Sequence, residues 1–146
     1  MSPHTLTLRV YYEDTDLAGV VYYANYLKFI ERGRTEALRA LGVDQPALKE
    51  AGLVFVVRRL VADYLAPARF DDLLEVQTVT RRVGGASVEM RQEVLRGGVV
   101  LFRAEVQIAC IHAESGAPSR LPTEIRKRLR EIAADPTADT SADTPG

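Results

Sequence analysis

An α+β fold is predicted by three features of the chain. One long helical period runs from about Ala24 to Leu41. Strand patterns precede and follow it, the later ones in close succession and joined by turn-forming pieces rather than helices. A second helical stripe comes last. Strands that succeed one another through tight turns pair antiparallel. The expected architecture is therefore an antiparallel sheet of about five strands packed on one long helix, plus a C-terminal helix.

The first strand covers Thr5–Tyr12, where Leu6, Leu8, Val10 and Tyr12 alternate with Thr5, Thr7, Arg9 and Tyr11. The polar run Glu13–Gly19 is turn-forming. On the long helix, Leu27, Ile30, Leu38 and Leu41 share one face, widened by Tyr26 and Phe29. Asn25 suits an N-cap, or the helix begins a turn earlier. Gly42 suits the C-terminal cap. Gly33 sits inside the pattern at a cost of up to about 1 kcal/mol against Ala, which points to close approach of another backbone. Val54–Leu65 is apolar on both parities apart from Arg58, Arg59 and Asp63. Leu73–Arg82 alternates weakly, and Ala86–Arg96 places Val88, Met90 and Val94 on one face. Val99–His112 alternates most clearly, with Val100, Phe102, Ala104, Val106, Ile108 and Cys110 on one parity. Gly84-Gly85 marks a turn, and Gly97-Gly98 forms a two-residue hairpin. A last helix starts at Pro122, with Ile125, Leu129 and Ile132 along one stripe.

The chain has 146 residues, which suits one domain. Its 47% apolar and 27% charged composition is that of an ordinary globular protein and excludes a fully disordered or collagen-like chain. No apolar run approaches the ~20 residues of a membrane helix, and no signal peptide is evident, so no membrane insertion is expected. The formal net charge of -1 argues against a nucleic-acid partner. A single cysteine, Cys110, excludes an internal disulfide and a cysteine-based zinc site. The stretch Asp135–Gly146 holds three Asp, no base and no large apolar residue, and is expected to be a disordered acidic tail. Residues 1–134 then form the domain, with 19 bases against 17 acids and a net of +2. A cytoplasmic enzyme or binding domain is the class that remains.

Few residues can carry chemistry. His4 and His112 lie at element ends, away from the polar run, and phosphate-binding glycine loops and metal-ligand spacings are absent. Cys110 shares the apolar parity of its strand and reads as a buried thiol. Asp14 and Asp16 remain, in a turn just before the long helix. There a carboxylate faces the unpaired N–H groups and positive end of the helix. One carboxylate acting as nucleophile or general base, with helix N–H groups as an oxyanion site, is enough to hydrolyse an activated acyl group such as a thioester. The same residues also suit plain turn-forming or capping roles.

The run Tyr12–Phe29, continued by Glu31–Glu36, resembles the signature of hotdog-fold acyl-CoA thioesterases. The branch is the one that contains 4-hydroxybenzoyl-CoA thioesterase and the Tol-Pal-associated YbgC-type enzymes. The likeness continues through Phe55–Arg59 and Tyr64–Asp72. It implies a hotdog fold, in which the sheet wraps the central helix, and hydrolysis of an acyl-CoA without a cofactor or metal. By position, the second aspartate, Asp16, matches the family's catalytic carboxylate. Tyr23 and Ala24 match the helix start, where a backbone N–H polarises the thioester carbonyl. Many YbgC-type relatives have His at the place of Tyr23. The resemblance further implies a homo-oligomer, dimer or tetramer, with the site between subunits. Coenzyme A carries phosphates, for which Arg58, Arg59, Arg69, Arg81 and Arg82 are the candidate partners, ahead of Arg126, Lys127 and Arg128. Ser87 is a further candidate contact. Glu31 reads as the partner of Arg32 or Arg34 rather than as a catalytic base. A hydroxyacyl-thioester dehydratase is disfavoured because no His lies between Thr5 and Ile111. A non-catalytic acyl-CoA binding or regulatory module and a purely scaffolding oligomer stay open beside the enzyme.

Overall fold

The computed structural model describes residues 3–135. The expected acidic tail lies outside the described residues except for Asp135. Strands β1 (His4–Arg9), β2 (Leu53–Tyr64), β3 (Leu73–Val83), β4 (Ser87–Arg96) and β5 (Val99–His112) form one antiparallel sheet in the order β1-β3-β4-β5-β2. Helix α1 (Asn25–Ala40) lies on one face of it, against β1, β3 and β4. Two shorter helices complete the chain, α2 (Gln45–Glu50) and α3 (Thr123–Ile132). This is the hotdog arrangement. Among the described residues no helix is long and apolar enough to cross a membrane.

The alternation read from the sequence decides which face is covered. Leu74 and Val76 of β3, Val88, Met90 and Val94 of β4, and Phe102, Ala104 and Val106 of β5 are buried in one core, to which α1 contributes Tyr26, Phe29, Ile30 and Leu38. The opposite parity carries the ion pairs, Arg103 with Glu93 at 2.7 Å among them. Gly97 and Gly98 both have positive φ and close the β4–β5 hairpin, as expected.

One polar group sits in the middle of this core. Gln92 is fully buried, and its Nε2 donates to Ile30 O at 2.8 Å and to Thr78 Oγ1 at 2.9 Å. Its Oε1 accepts from Arg34 Nη1 at 3.0 Å. Each polar atom of the amide is thus paired, as burial requires. Gly33 lies directly above, and a Cβ there would stand 2.6 Å from Val76 Cγ1 and 3.2 Å from both Gln92 Nε2 and Thr78 Oγ1. The close approach expected at Gly33 is present, but it is made by side chains of the sheet and not by another backbone.

Three expectations are corrected. β1 ends at Arg9, and Tyr12 is 81% exposed because the chain turns at Tyr12–Asp14 into one turn of 3-10 helix. Leu27 is not on the buried face of α1 but 38% exposed. Helix α2 adds to the two helices expected, and its local signals are present: Asp44 caps it by accepting from Ala47 N at 3.0 Å, and Pro46 lies in its first turn. Arg128 of α3 donates to Leu41 O and Gly42 O, so it closes the C-terminal end of α1.

Gly33→Ala is expected to destabilise the fold by about 1–3 kcal/mol, the usual cost of overpacking a filled core. Chemical denaturation measures this directly. An unchanged midpoint would mean that α1 can lift off the sheet without loss.

Candidate active site

The segment between β1 and α1 folds back on itself. Asp16 N donates to Val20 O at 2.9 Å and Gly19 N to Asp16 O at 3.0 Å, with Gly19 at φ +78. Only glycine adopts that conformation cheaply. Asp14 O accepts twice, from Tyr22 N at 3.0 Å and from Asn25 Nδ2 at 2.8 Å. Asn25 does not cap α1, since the N-cap position is Ala24 and Asn25 is the first helical residue. It ties the aspartate loop to the helix start. The loop is also tied to the segment after β2, through Val21 N to Ala68 O at 2.8 Å and a bridge between Val20 and Arg69.

The two aspartates differ in what they have left. Asp14 Oδ2 accepts from Tyr11 N at 2.8 Å and shapes the turn. Asp16 Oδ1 accepts from Ala18 N at 2.9 Å, and among the described residues its Oδ2 has no hydrogen-bond partner. Asp16 is exposed. Where the loop enters α1, the N-cap position is Ala24, which offers no side-chain acceptor. Asn25 N donates to Tyr22 O and Leu27 N to Ala24 O, while among the described residues the N–H groups of Tyr23 and Ala24 have no acceptor. An available carboxylate oxygen in a loop tied to an uncapped helix N-terminus has the groups that acyl transfer uses. It pairs a nucleophile or base with donors for a developing oxyanion.

Aromatic rings surround this place. Tyr26 stacks on Phe102 at 5.0 Å and 16°, and its hydroxyl accepts from Ala68 N at 2.9 Å. Burial pushes its phenol pKa up. Tyr64 packs edge-on against Tyr26, Phe102 and Tyr23. Its hydroxyl donates to Tyr23 O at 2.9 Å. Tyr22, Tyr23 and Tyr64 are each half-exposed or more. Sequence reasoning missed Tyr64, which falls at a strand end within the Tyr64–Asp72 stretch of the family resemblance.

The basic candidates fall into two groups. Arg69 belongs to the segment against the Asp16 loop, and its N–H donates to Asp72 Oδ2 at 2.8 Å. Arg58, Arg59, Arg82 and Ser87 gather elsewhere. Arg59 pairs across the sheet with Gln107, Gln107 with Glu89, and Glu89 with Arg82. Arg58 is the extra residue of a bulge in β2. Ser87 is buried, with Gln107 Nε2 3.5 Å from its hydroxyl. Arg82 lies 3.6 Å from Glu89. A cleft of about 330 Å³ opens here, lined by Val57, Arg58, Ala86, Cys110 and Pro118 among others. Tyr64 faces Phe102 on β5, five residues from Gln107, so this group is roughly 17 Å along the sheet from the aspartate end. Tyr23 and Arg69 lie on segments whose backbone is hydrogen-bonded to the Asp16 loop, and the other four lie farther along the sheet.

Other candidates take structural roles. Arg81 is 3.9 Å from Glu105. Glu31 accepts from Thr35 Oγ1 at 3.3 Å, and Arg34 turns inward to Gln92 instead of pairing with it. Burial pushes the Cys110 thiol pKa up, against a hydrogen bond with Ser119. Among the described residues no cluster of His, Cys, Asp or Glu could hold a metal ion.

The pattern of the Thioesterase-like superfamily matches residues 10–129. The chain belongs to that superfamily. It is similar to the acyl-CoA thioesterase YbgC of Haemophilus influenzae, 45% identical over 86% of this chain and 93% of that protein. The acyl-CoA thioester hydrolase YbgC of Escherichia coli is 44% identical over 85% of this chain and 93% of its own length. Among solved structures, a probable thioesterase from Bartonella henselae superposes with a TM-score of 0.78 at 44% identity, covering 83% of this chain and all of that one.

Asp72 anchors the segment that carries Arg69. Partial burial pushes its carboxyl up, but the Arg69 N–H, the Arg96 guanidinium 2.7 Å away and the charges of both arginines hold it below the ordinary carboxylate range. A depressed folded value gives stability that is present at neutral pH and lost as pH falls through that value. Asp72→Asn should therefore lower the melting temperature at pH 7, and the gap to wild type should close on acidification. A gap that stays constant down to about pH 3 would show that the charge of Asp72 contributes nothing.

Proposed function

We propose that the chain hydrolyses acyl-CoA thioesters to a free carboxylic acid and coenzyme A. The observation that carries this reading is an unengaged oxygen of Asp16 in the loop that is hydrogen-bonded to the start of α1, where two N–H groups are free. The activities named for the YbgC relatives support it.

The thioester carbonyl oxygen lies against the N–H groups of Tyr23 and Ala24, which stabilise negative charge as it develops there. Asp16 then acts in one of two ways. As a nucleophile it bonds to the acyl carbon, the carbon–sulfur bond breaks, and water hydrolyses the resulting anhydride. As a general base it takes a proton from water, whose oxygen attacks the same carbon. Either route yields the carboxylic acid and CoA thiol, with no cofactor.

The reading includes a second copy of the chain. β2 is a sheet edge that exposes Val56, Val57 and Val61, a surface that proteins ordinarily cover. Asp16 is open to solvent, whereas acyl transfer benefits from excluded water. A partner chain would cover both. It would also bring a second Arg58, Arg59, Arg82 and Ser87 group within reach of the CoA phosphates. A homodimer, or a tetramer of two dimers, is the proposed assembly, and the cytoplasm the proposed compartment.

Thiol release from acetyl-, butyryl-, palmitoyl- and benzoyl-CoA tests the reading. Asp16→Asn should keep the fold and KM and lower kcat by about 100-fold or more. An Asp16→Asn enzyme of near wild-type rate would reject Asp16. Absence of turnover on every ester by a folded protein that binds CoA would favour a binding module instead.

A further inference from the structure

The two free donors at the start of α1 belong to adjacent peptide units, and the carbonyl of each unit is held from behind. Tyr22 O accepts the Asn25 N–H at 2.8 Å. Tyr23 O accepts the Tyr64 hydroxyl at 2.9 Å. The first bond is local and comes with the helical turn. The second joins residues 41 apart in the chain and arrives from the end of β2.

That second bond acts on the donors in two ways. A carbonyl that accepts a hydrogen bond polarises its peptide unit, so the Ala24 N–H becomes a stronger donor. The bond also fixes the plane of the Tyr23–Ala24 peptide. Rotation about the Tyr23 backbone sets the angle between its own N–H and that of Ala24, so one hydroxyl orients the pair.

Tyr64 is built to hold this position. Its ring lies 4.9 Å from Phe102 and 5.5 Å from Tyr26, each edge-on. The chain after it is pinned by Leu65 N and Ala66 N, which donate to Leu101 O at 2.8 and 3.1 Å. Burial raises its phenol pKa, and Tyr23 and Tyr26 raise it further, so the hydroxyl keeps its proton through the neutral range.

We infer that Tyr64 is a positioning residue for acyl transfer, its hydroxyl orienting the Tyr23–Ala24 peptide so that both N–H groups face the thioester oxygen. The inference rests on the proposed role of the α1 start as the oxyanion site.

Tyr64→Phe tests it, since the half-exposed ring keeps its packing and loses only the hydroxyl. With the CoA ester that wild type turns over fastest, kcat should fall about tenfold, the size of one neutral hydrogen bond, while KM and the circular dichroism spectrum stay as in wild type. A second readout uses that ester labelled with ¹³C at the thioester carbonyl and bound to Asp16→Asn protein. Adding Tyr64→Phe should move the carbonyl infrared stretch toward its value in free solution. Unchanged kcat and an unmoved stretch would overturn the inference, whether or not the melting temperature falls, because Tyr64 would then only staple β2 to the helix. A rise in KM alone would overturn it too, by making Tyr64 a plain substrate contact. The parent reading fails separately: if Asp16→Asn itself retains wild-type turnover, Asp16 is rejected whatever Tyr64→Phe does.

Discussion

The seat of α1 on the sheet sets the position of everything else at the candidate site. Gly33 lets the helix down onto Val76 and Thr78, where any side chain would collide. The Gln92 amide then fastens the helix at that height by bonding Ile30 O, Thr78 and Arg34 together. A buried amide with every polar atom paired has one good geometry, and slipping the helix along the sheet would break both of the bonds that reach it, to Ile30 O and from Arg34, while the Thr78 bond holds the amide in the sheet. From Gly33 the helix runs back nine residues to Ala24, about 14 Å at 1.5 Å per residue. Over that short rigid span, a fixed middle means a fixed end. The uncapped N-terminus is therefore held by packing well away from it.

The loop before α1 converts that fixed end into a chemical arrangement. Asp14 and Asp16 are two residues apart and differ in use. Asp14 is consumed by structure, its carboxylate on Tyr11 N and its carbonyl on Tyr22 N and Asn25. Those bonds leave Asp16 at the outer turn, with one oxygen steadied by Ala18 N and the other available. Asn25 would satisfy the helix N-terminus if it capped it. It lies inside the first turn instead, where its Nδ2 donates to Asp14 O and keeps the loop closed, while Ala24 at the cap offers the helix donors no side-chain acceptor. Local stability is given up at the helix end, which is where an anion would restore it.

Much of this fold is legible in the sequence, because its signals are periodic and local. The parity of β5, the Gly97-Gly98 hairpin and the extent of α1 each follow from neighbours a few residues apart. Where the period stops, so does the legibility. Tyr12 continues the alternation of β1 on paper, yet the carboxylate of Asp14 turns the chain away first. The site divides in the same way. Spacing places a carboxylate before a helix, but preferring Asp16 to Asp14 takes the family resemblance, and the structure shows only that Asp14 is the more heavily hydrogen-bonded of the two. Arg58 and Arg59 are recognisable as basic residues, while their distance from Asp16 depends on strand order, which no local pattern encodes. Tyr64 carries no local signal, since its partner is a carbonyl 41 residues away.

The residues around Asp16 also bear on which esters the proposed mechanism suits. By the family resemblance, Tyr23 stands where many YbgC-type relatives would carry an imidazole, and both histidines of the chain, His4 and His112, are at strand ends. His112 pairs with Leu53 at the start of β2, the end opposite Tyr64. A phenol in place of an imidazole is a poor proton donor to a leaving group at neutral pH. A leaving group must then depart largely unaided. A thiol such as that of CoA, of the cysteine type with pKa near 8.5, departs as its anion far more readily than an alcohol does. An arrangement of one carboxylate and two backbone donors therefore favours thioesters over oxygen esters by the chemistry of the bond broken, before any pocket reads the acyl chain.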